Sequence, residues 1–206
     1  MSTRQTINTV AAAMILAISL GAESKKEIGA IPDNYFRARI DIESKNDLQP
    51  VNNCRYAPWK PGKRTYLLSE SFSLKEQWED FKISFVSDAD SSVSIKLMGA
   101  VYTDKQNRQR LAPWIEFDDI RIRGADLTNG DFELLDKKGF LKAWRDPAKS
   151  ATGTTPFKGK YAVRLWHDQR VAQDIQVKKG QVITITAKVR KSPLQDQVKL
   201  PKENNH

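Results

Sequence analysis

The chain has 206 residues, of which 34 are Lys or Arg and 25 are Asp or Glu, so its formal net charge is +9. A hydrophobic content of 39% is enough for a packed core, which excludes a wholly disordered protein. One cysteine excludes an internal disulfide framework and a zinc site built on cysteines, and two histidines exclude a His-rich metal centre. The basic excess leaves nucleic acid, an acidic polymer or a charged cell envelope as candidate partners.

The first predicted element is an N-terminal targeting segment. An apolar run over 9–20 has the length of a signal-peptide core and is too short to cross a membrane as a helix. Arg4 precedes it, and small residues around Ala22 offer a cleavage site. We therefore expect a signal peptide over 1–22, a flexible segment over 23–33, and a secreted, periplasmic or cell-surface protein. The alternative is a buried N-terminal helix. Nothing later in the chain predicts a transmembrane segment.

The body of the chain, residues 34–190, predicts short β-strands. Apolar and polar residues alternate with a period of two, which is typical of strands that bury one face. The clearest runs are 36–42, 81–85, 93–97, 161–165 and 183–189. Because two such sheets must cover each other, the expected fold class is an all-β, two-sheet sandwich in one domain.

Two features interrupt this alternation. The apolar residues of the segment 115–122 change phase between Phe117 and Ile120, which predicts a β-bulge at Asp118-Asp119 that re-aims a carboxylate. The final stretch, 191–206, is polar, contains two prolines and has no period, so it predicts a disordered tail.

A set of motifs resembles a known family. The string 129–133, NGDFE, is followed by the segments 139–144, 160–166 and 173–190. In that order they resemble carbohydrate-binding modules of the galactose-binding-like jelly-roll type, families 4, 9 and 22, which include xylan- and glucan-binding members. The last elements of the family come first here, as three segments: 37–42, 72–85 with Trp78, and the closing strand 117–122.

The resemblance implies a jelly roll with a circularly permuted chain order over 34–190. Termini of compact domains often lie close together, so joining the old ends costs little. The rival interpretation is a pair of half-length domains split near Arg123, each of which would bury little surface.

The same resemblance implies a structural calcium where the opening and closing strands meet. Asp118 matches the closing-strand aspartate and Glu133 the glutamate of the opening motif, and calcium prefers hard oxygen ligands of this kind. The alternative is that these carboxylates pair with a nearby arginine, Arg121 or Arg123.

Sugar binding needs an apolar platform with a few placed polar groups. Trp166 lies on the polar phase of its strand, which is unusual for tryptophan, and Arg164 shares that phase. The candidate ligand-binding residues are Trp166, Arg164, His167, Trp144, Trp59 and Trp114. The alternative is that these tryptophans pack the core or the edges of the sandwich. Trp78 matches a core position of the family and is not a candidate.

Catalysis and nucleic-acid binding are not expected. The chain contains none of the G-x-S-x-G, H-E-x-x-H or phosphate-binding glycine strings, and its basic residues are scattered among acids without an RNP-like motif. The expected function is a secreted, monomeric, non-catalytic module that recognises a poly- or oligosaccharide. The alternative is an envelope or extracellular protein-interaction domain of the same fold with no glycan ligand.

Overall fold

The computed structural model describes residues 35–57, 65–71, 73–103, 110–146, 148–153 and 155–195. Sheet A has the strand order β12-β6-β1-β4-β3 and is formed by β1 Ala38–Ser44, β3 Arg55–Tyr56, β4 Thr65–Ser71, β6 Ser91–Gly99 and β12 Val171–Val177. Sheet B has the order β10-β11-β9-β13-β5-β2 and is formed by β2 Leu48–Asn52, β5 Glu79–Ser87, β9 Ile115–Arg123, β10 Ala151–Thr152, β11 Ala162–Leu165 and β13 Val182–Lys191. A separate small pair consists of β7 Tyr102–Thr103 and β8 Arg110–Leu111.

The two sheets bury the apolar phase of their strands against each other. In β13, for example, Ile183, Ile185 and Val189 are fully buried, while Thr184 and Lys188 on the other phase are partly exposed. The same alternation runs through β1, β5 and β6, and their apolar side chains form one hydrophobic cluster. The prediction of an all-β, two-sheet sandwich is confirmed.

Strands from both halves of the chain share both sheets. In sheet B, β13 pairs antiparallel with β5 on one side and with β9 on the other. In sheet A, β12 pairs with β6. Two half-length domains split near Arg123 would not pair in this way, so the chain order found here favours a single sandwich.

The predicted break of phase in β9 is a β-bulge. Phe117 pairs with Val189 and Ile122 with Ile185, and the register shifts between Thr186 and Lys188. One extra residue in β9 lets both Phe117 and Ile120 point into the core although they are three positions apart. Asp119 in the bulge has a φ of 46°.

The C-terminal end of the sandwich extends beyond Arg190. Lys191 is the last residue of β13, Ser192 is buried, and Gln195 bonds to the backbone of Trp114. Residues 191–195 of the predicted tail are thus part of the fold, whereas 196–206 and the predicted segments 1–22 and 23–33 lie outside the described residues. Nowhere in the described part of the chain does an apolar helix reach membrane-spanning length.

Candidate functional site

One of the predicted tryptophans, Trp144, is buried in the core. The Trp144 side chain is 6% exposed and packs on Phe132, with ring centres 5.4 Å apart. Its Nε1 donates to the backbone oxygen of Asn129 at 2.9 Å. The prediction for Trp144 is therefore corrected: the ring fills the core, where its large apolar surface is removed from water. Trp59 lies outside the described residues.

Three other predicted residues do come together, at one end of sheet B. The Arg164 guanidinium carbon lies 4.4 Å from the centre of the Trp114 ring, and the rings of Trp114 and Trp166 are 6.1 Å apart. Trp114 is 6% exposed, whereas Trp166 is half-buried and its Nε1 donates to Gln169 Oε1 at 3.3 Å. The structure therefore leaves Trp166, rather than Trp114, with an accessible ring.

The C-terminal segment contacts two members of this cluster, Trp114 and Arg164. Gln195 Nε2 donates to the backbone oxygen of Trp114 at 2.7 Å, and Trp114 N donates to Gln195 Oε1 at 3.2 Å. An Arg164 amino group donates to the backbone oxygen of Leu194. His167 stands beside the cluster in sequence, with Nδ1 2.6 Å from Asp168 Oδ1. These contacts fit a role of the cluster in packing the end of the sandwich.

Cations stack on aromatic rings elsewhere on sheet B as well. Arg190 lies 4.4 Å from the centre of the Trp78 ring, and Lys188 Nζ lies 4.7 Å from that of Phe157. Trp78 is half-buried, which differs from the core position expected for it. Such stacks contribute about 0.5–1 kcal/mol each at exposed sites. They account for Trp78 without a ligand.

Asp118 and Glu133, the predicted calcium ligands, hold one and the same loop. Asp118 is fully buried and its Oδ2 accepts from Lys158 N at 3.1 Å. Glu133 Oε1 accepts from Lys160 N at 2.7 Å and from Tyr161 N at 3.0 Å. Burial raises the pKa of the Asp118 carboxyl, although backbone donors, Lys158 N first, oppose the shift.

The hydrogen bonds of Asp118 and Glu133 account for both carboxylates without a metal ion. Both Asp118 oxygens accept from backbone N–H groups, Oδ1 from Asp119 at 2.6 Å, and so does Glu133 Oε1. Each N–H occupies one lone-pair position of the oxygen that accepts it. A calcium ion would need six to eight oxygen ligands in all. In the described ranges no three His, Cys, Asp or Glu side chains are grouped as a metal site would require. The arrangement favours loop anchoring by carboxylates.

A different feature, a cleft of about 670 Å³, opens on the solvent face of sheet A. It forms because Ser92, Ser94 and Lys96 of β6 point outward between the buried residues of that strand. The cleft lies over β1, β6 and β12 and is lined by Glu43, Ser44, Lys45, Asn46, Ser91, Ser92, Ser94, Lys96, Arg145 and Asp174.

Strand register places the central row of the cleft. Glu43 of β1 is opposite Ser94 of β6, and Ser94 is opposite Asp174 of β12. Arg145 joins this row from outside the sheet, because its backbone pairs with Ala172 through two hydrogen bonds of 2.8 and 3.2 Å. Its neighbour Trp144 points into the core, so Arg145 points to the cleft.

Arg145 and Asp174 form a two-pronged ion pair in the cleft. Arg145 Nη1 donates to Asp174 Oδ2 at 2.7 Å, and Nη2 donates to Asp174 Oδ1 at 2.9 Å. Nη2 also donates to Ser94 Oγ at 2.8 Å. The hydrogen bond from Arg145, together with one from Ser94, lowers the pKa of Asp174 against the opposing effect of burial. The two planar charged groups are thus held in a defined orientation relative to each other.

A second charged pair lies next to this row. Lys96 Nζ contacts Glu43 Oε2, and both side chains are largely shielded from solvent. Asp41, opposite Lys96 in register, is buried and accepts from Arg39 Nε at 2.7 Å. Shielded charges of this kind need well-placed partners, and Glu43 and Asp41 each have one. The floor of the cleft is therefore polar, and its shielded carboxylates are paired.

The cleft residues carry no motif in the sequence that marks them as a site. Ser94 and Lys96 were on the polar phase of a predicted strand, but that phase could equally face bulk water. Arg145, next to the candidate Trp144, was the nearest signal. Which strands are neighbours decides that Glu43, Ser94 and Asp174 meet, and this is a property of the tertiary structure.

No protein-family model, curated protein or solved structure matches the chain.

Proposed function

We propose that the protein is a non-catalytic saccharide-binding β-sandwich whose ligand lies in the cleft of sheet A. The observation that carries the proposal is the cleft itself, about 670 Å³ in volume and lined by hydroxyl, amide, carboxylate and guanidinium groups. This volume is in the range of small-ligand sites. Planar charged groups in fixed orientation suit the paired hydroxyl groups of a sugar ring.

The state of the carboxylates supports binding without catalysis. Glycoside hydrolysis needs one carboxylic acid that keeps its proton near neutral pH. Asp174 has a lowered pKa because Arg145 stabilises its charged form, and Glu43 is paired with Lys96. Both are suited to accept hydrogen bonds from hydroxyl groups. The signal peptide expected over 1–22 would place this activity outside the cytoplasm.

The proposal is tested by affinity gel electrophoresis and calorimetry against a panel of neutral and acidic polysaccharides. The Arg145→Ala variant should bind about tenfold more weakly or worse, since it loses charge-assisted hydrogen bonds to the ligand. The matched comparison is Trp166→Ala, which alters the tryptophan cluster and should keep the affinity of the unaltered protein. Loss of binding in Trp166→Ala alone would move the site to sheet B.

The second candidate function is contact with another protein. It is favoured by two exposed apolar side chains on edge strands that follow each other in the chain, Val51 of β2 and Tyr56 of β3, which are 54% and 49% exposed. An edge strand has unpaired backbone groups that can bond to another chain, and exposed apolar side chains beside them add contact surface. If the folded protein binds no member of the panel, saccharide binding is wrong and this second function takes its place.

A further inference from the structure

The lining of the sheet A cleft contains a restricted set of side chains. Of its ten described residues, five are charged, five carry a hydroxyl or amide group, and none is aromatic. Hydrogen bonds to neutral hydroxyl groups exchange with water and give a modest net gain. Because none of the described lining residues offers a ring to stack on, a neutral sugar would gain little free energy from them.

The charges of the lining leave one cation over. The carboxylates of Glu43 and Asp174 are matched by Lys96 and Arg145 respectively. The third cation, Lys45, is exposed, and no ion pair joins it to any residue in the described ranges. The cleft therefore carries a surplus positive charge at Lys45, which a ligand of opposite charge would neutralise.

Arg145 also has donors to spare. A guanidinium group has five N–H donors. Three of them go to Asp174 and Ser94, which leaves two without a partner among the residues that the structure describes. The Arg145 side chain is 56% exposed, so a ligand can reach it. Hydrogen bonds from such a cation to a carboxylate are about twice as strong as those between neutral groups.

We infer that the cleft selects saccharides that bear a carboxylate, that is, oligomers of uronic acids. This rests on the saccharide-binding function proposed above. The ligand carboxylate lies between Lys45 and the free donors of Arg145, while ring hydroxyl groups bond to Asp174, Asn46 and the serines of β6. The net positive charge of the chain attracts such an anionic polymer from a distance.

The test compares two ligands that differ in charge and share the same backbone. An oligogalacturonate and its carboxyl-reduced neutral counterpart are titrated calorimetrically into the full chain at two salt concentrations. The oligogalacturonate should bind at least about tenfold more tightly, and its affinity should fall as salt rises. Equal affinity for both ligands would overturn the acidic class while leaving saccharide binding intact. Absence of binding by both ligands and by the whole polysaccharide panel would overturn both proposals.

A lysine variant tests whether the carboxylate of the ligand lies beside Lys45. Lys45→Gln should weaken oligogalacturonate binding by about threefold to tenfold and leave the affinity for the reduced ligand unchanged. The matched control is Lys137→Gln, which removes the same charge from an exposed lysine outside the cleft. Equal losses in the two variants would indicate general attraction to a basic protein and would overturn the inference. Circular dichroism of each variant confirms that it is folded.

Discussion

The ammonium group of Lys191 lies 4.3 Å from the centre of the Phe36 ring. Phe36 precedes β1, and Lys191 ends β13, so these residues mark the two ends of the sandwich. One segment bonds to both ends: Leu74 N donates to Phe36 O at 3.0 Å, and Lys191 N donates to Lys75 O at 2.8 Å. Ends this close together can be joined by a short linker, as they often can in compact domains.

The closeness of the two ends predicts that the chain tolerates a circular permutation. A variant that starts at Asp126, ends at Ala125 and joins residue 195 to residue 35 by a short glycine–serine linker should fold, with a Tm within ~5 °C of the unaltered domain. The reason is that 124–128 is a connection between elements and carries no strand. Thermal unfolding followed by circular dichroism measures this.

The control for this experiment is a permutant opened inside β13, between Thr186 and Ala187. β13 pairs with both β5 and β9, so a break there removes hydrogen bonds on both sides and should prevent folding. Equal stability of the two permutants would contradict the role given to the chain ends.

Asn129 is expected to be one of the most sensitive polar residues. Its Nδ2 donates to the backbone oxygens of Leu134 and Lys142 at 3.0 and 2.9 Å, and its Oδ1 accepts from Leu134 N at 2.9 Å. Asn129→Ala leaves these groups unpaired and should cost about 2–4 kcal/mol of unfolding free energy in urea titrations. The control is Asp131→Ala, at an exposed position two residues later, which should lower the free energy of unfolding far less. Comparable decreases in the two variants would show that the side-chain hydrogen bonds of Asn129 are not the cause.

Glu116 and Arg190 form a buried pair on the outer side of sheet B. Arg190 Nε donates to Glu116 Oε2 at 2.7 Å, and Ser192 Oγ donates to Glu116 Oε1 at 2.9 Å. Arg190→Met leaves the Glu116 charge buried without its main partner and should cost about 3–5 kcal/mol, whereas the double variant with Glu116→Met should recover most of that loss. Urea unfolding of the unaltered protein, Arg190→Met, Glu116→Met and the double variant gives the coupling free energy between the two residues. A double variant as unstable as Arg190→Met would refute the explanation by a buried unpaired charge.

The carboxylate anchors predict how the fold responds to a chelator. Because Glu133 Oε1 already accepts from two backbone N–H groups, EDTA should leave the Tm unchanged, and Glu133→Ala should lower the free energy of unfolding by about 1–3 kcal/mol. A Tm that falls with EDTA and returns with calcium, in the unaltered protein but not in Glu133→Ala, would instead establish the calcium site that the resemblance implies.

The Arg145–Asp174 pair predicts a dependence on pH. The pKa of Asp174 is lowered from its ordinary value of 3.8, chiefly by the hydrogen bond from Arg145. A group with a depressed folded-state pKa stabilises the fold above its unfolded pKa, and this contribution is lost as pH falls through the folded value. The Tm difference between the unaltered protein and Asp174→Asn should therefore be constant from pH 6 to pH 5, begin to shrink near about pH 4, and vanish only in stronger acid, once the pH lies below the folded-state pKa of Asp174. A difference that persists in strong acid would assign it to another cause.

Much of the fold could be predicted because local sequence pattern fixes it. The alternation of Ile183, Ile185 and Val189 with Thr184 and Lys188 requires a strand with one buried face, whatever its neighbours are. The phase break between Phe117 and Ile120 likewise requires an extra residue in β9. These features follow from the geometry of a pleated strand, so a two-sheet sandwich follows from the sequence alone.

The cleft of sheet A depends on which strands become neighbours. The alternation of apolar and polar residues does not contain that information. Trp144 and Arg145 are adjacent in sequence, yet the fold sends the ring to the core and the guanidinium to a cleft floored by β1, β6 and β12. Asp174 is 131 positions from Glu43 in the numbering, and both face Ser94 in one row. The sequence by itself determined strands, their buried faces and the bulge, because those arise from local periodicity. The tertiary structure alone decided which tryptophans were covered and which charges met, because long-range pairing of strands sets both.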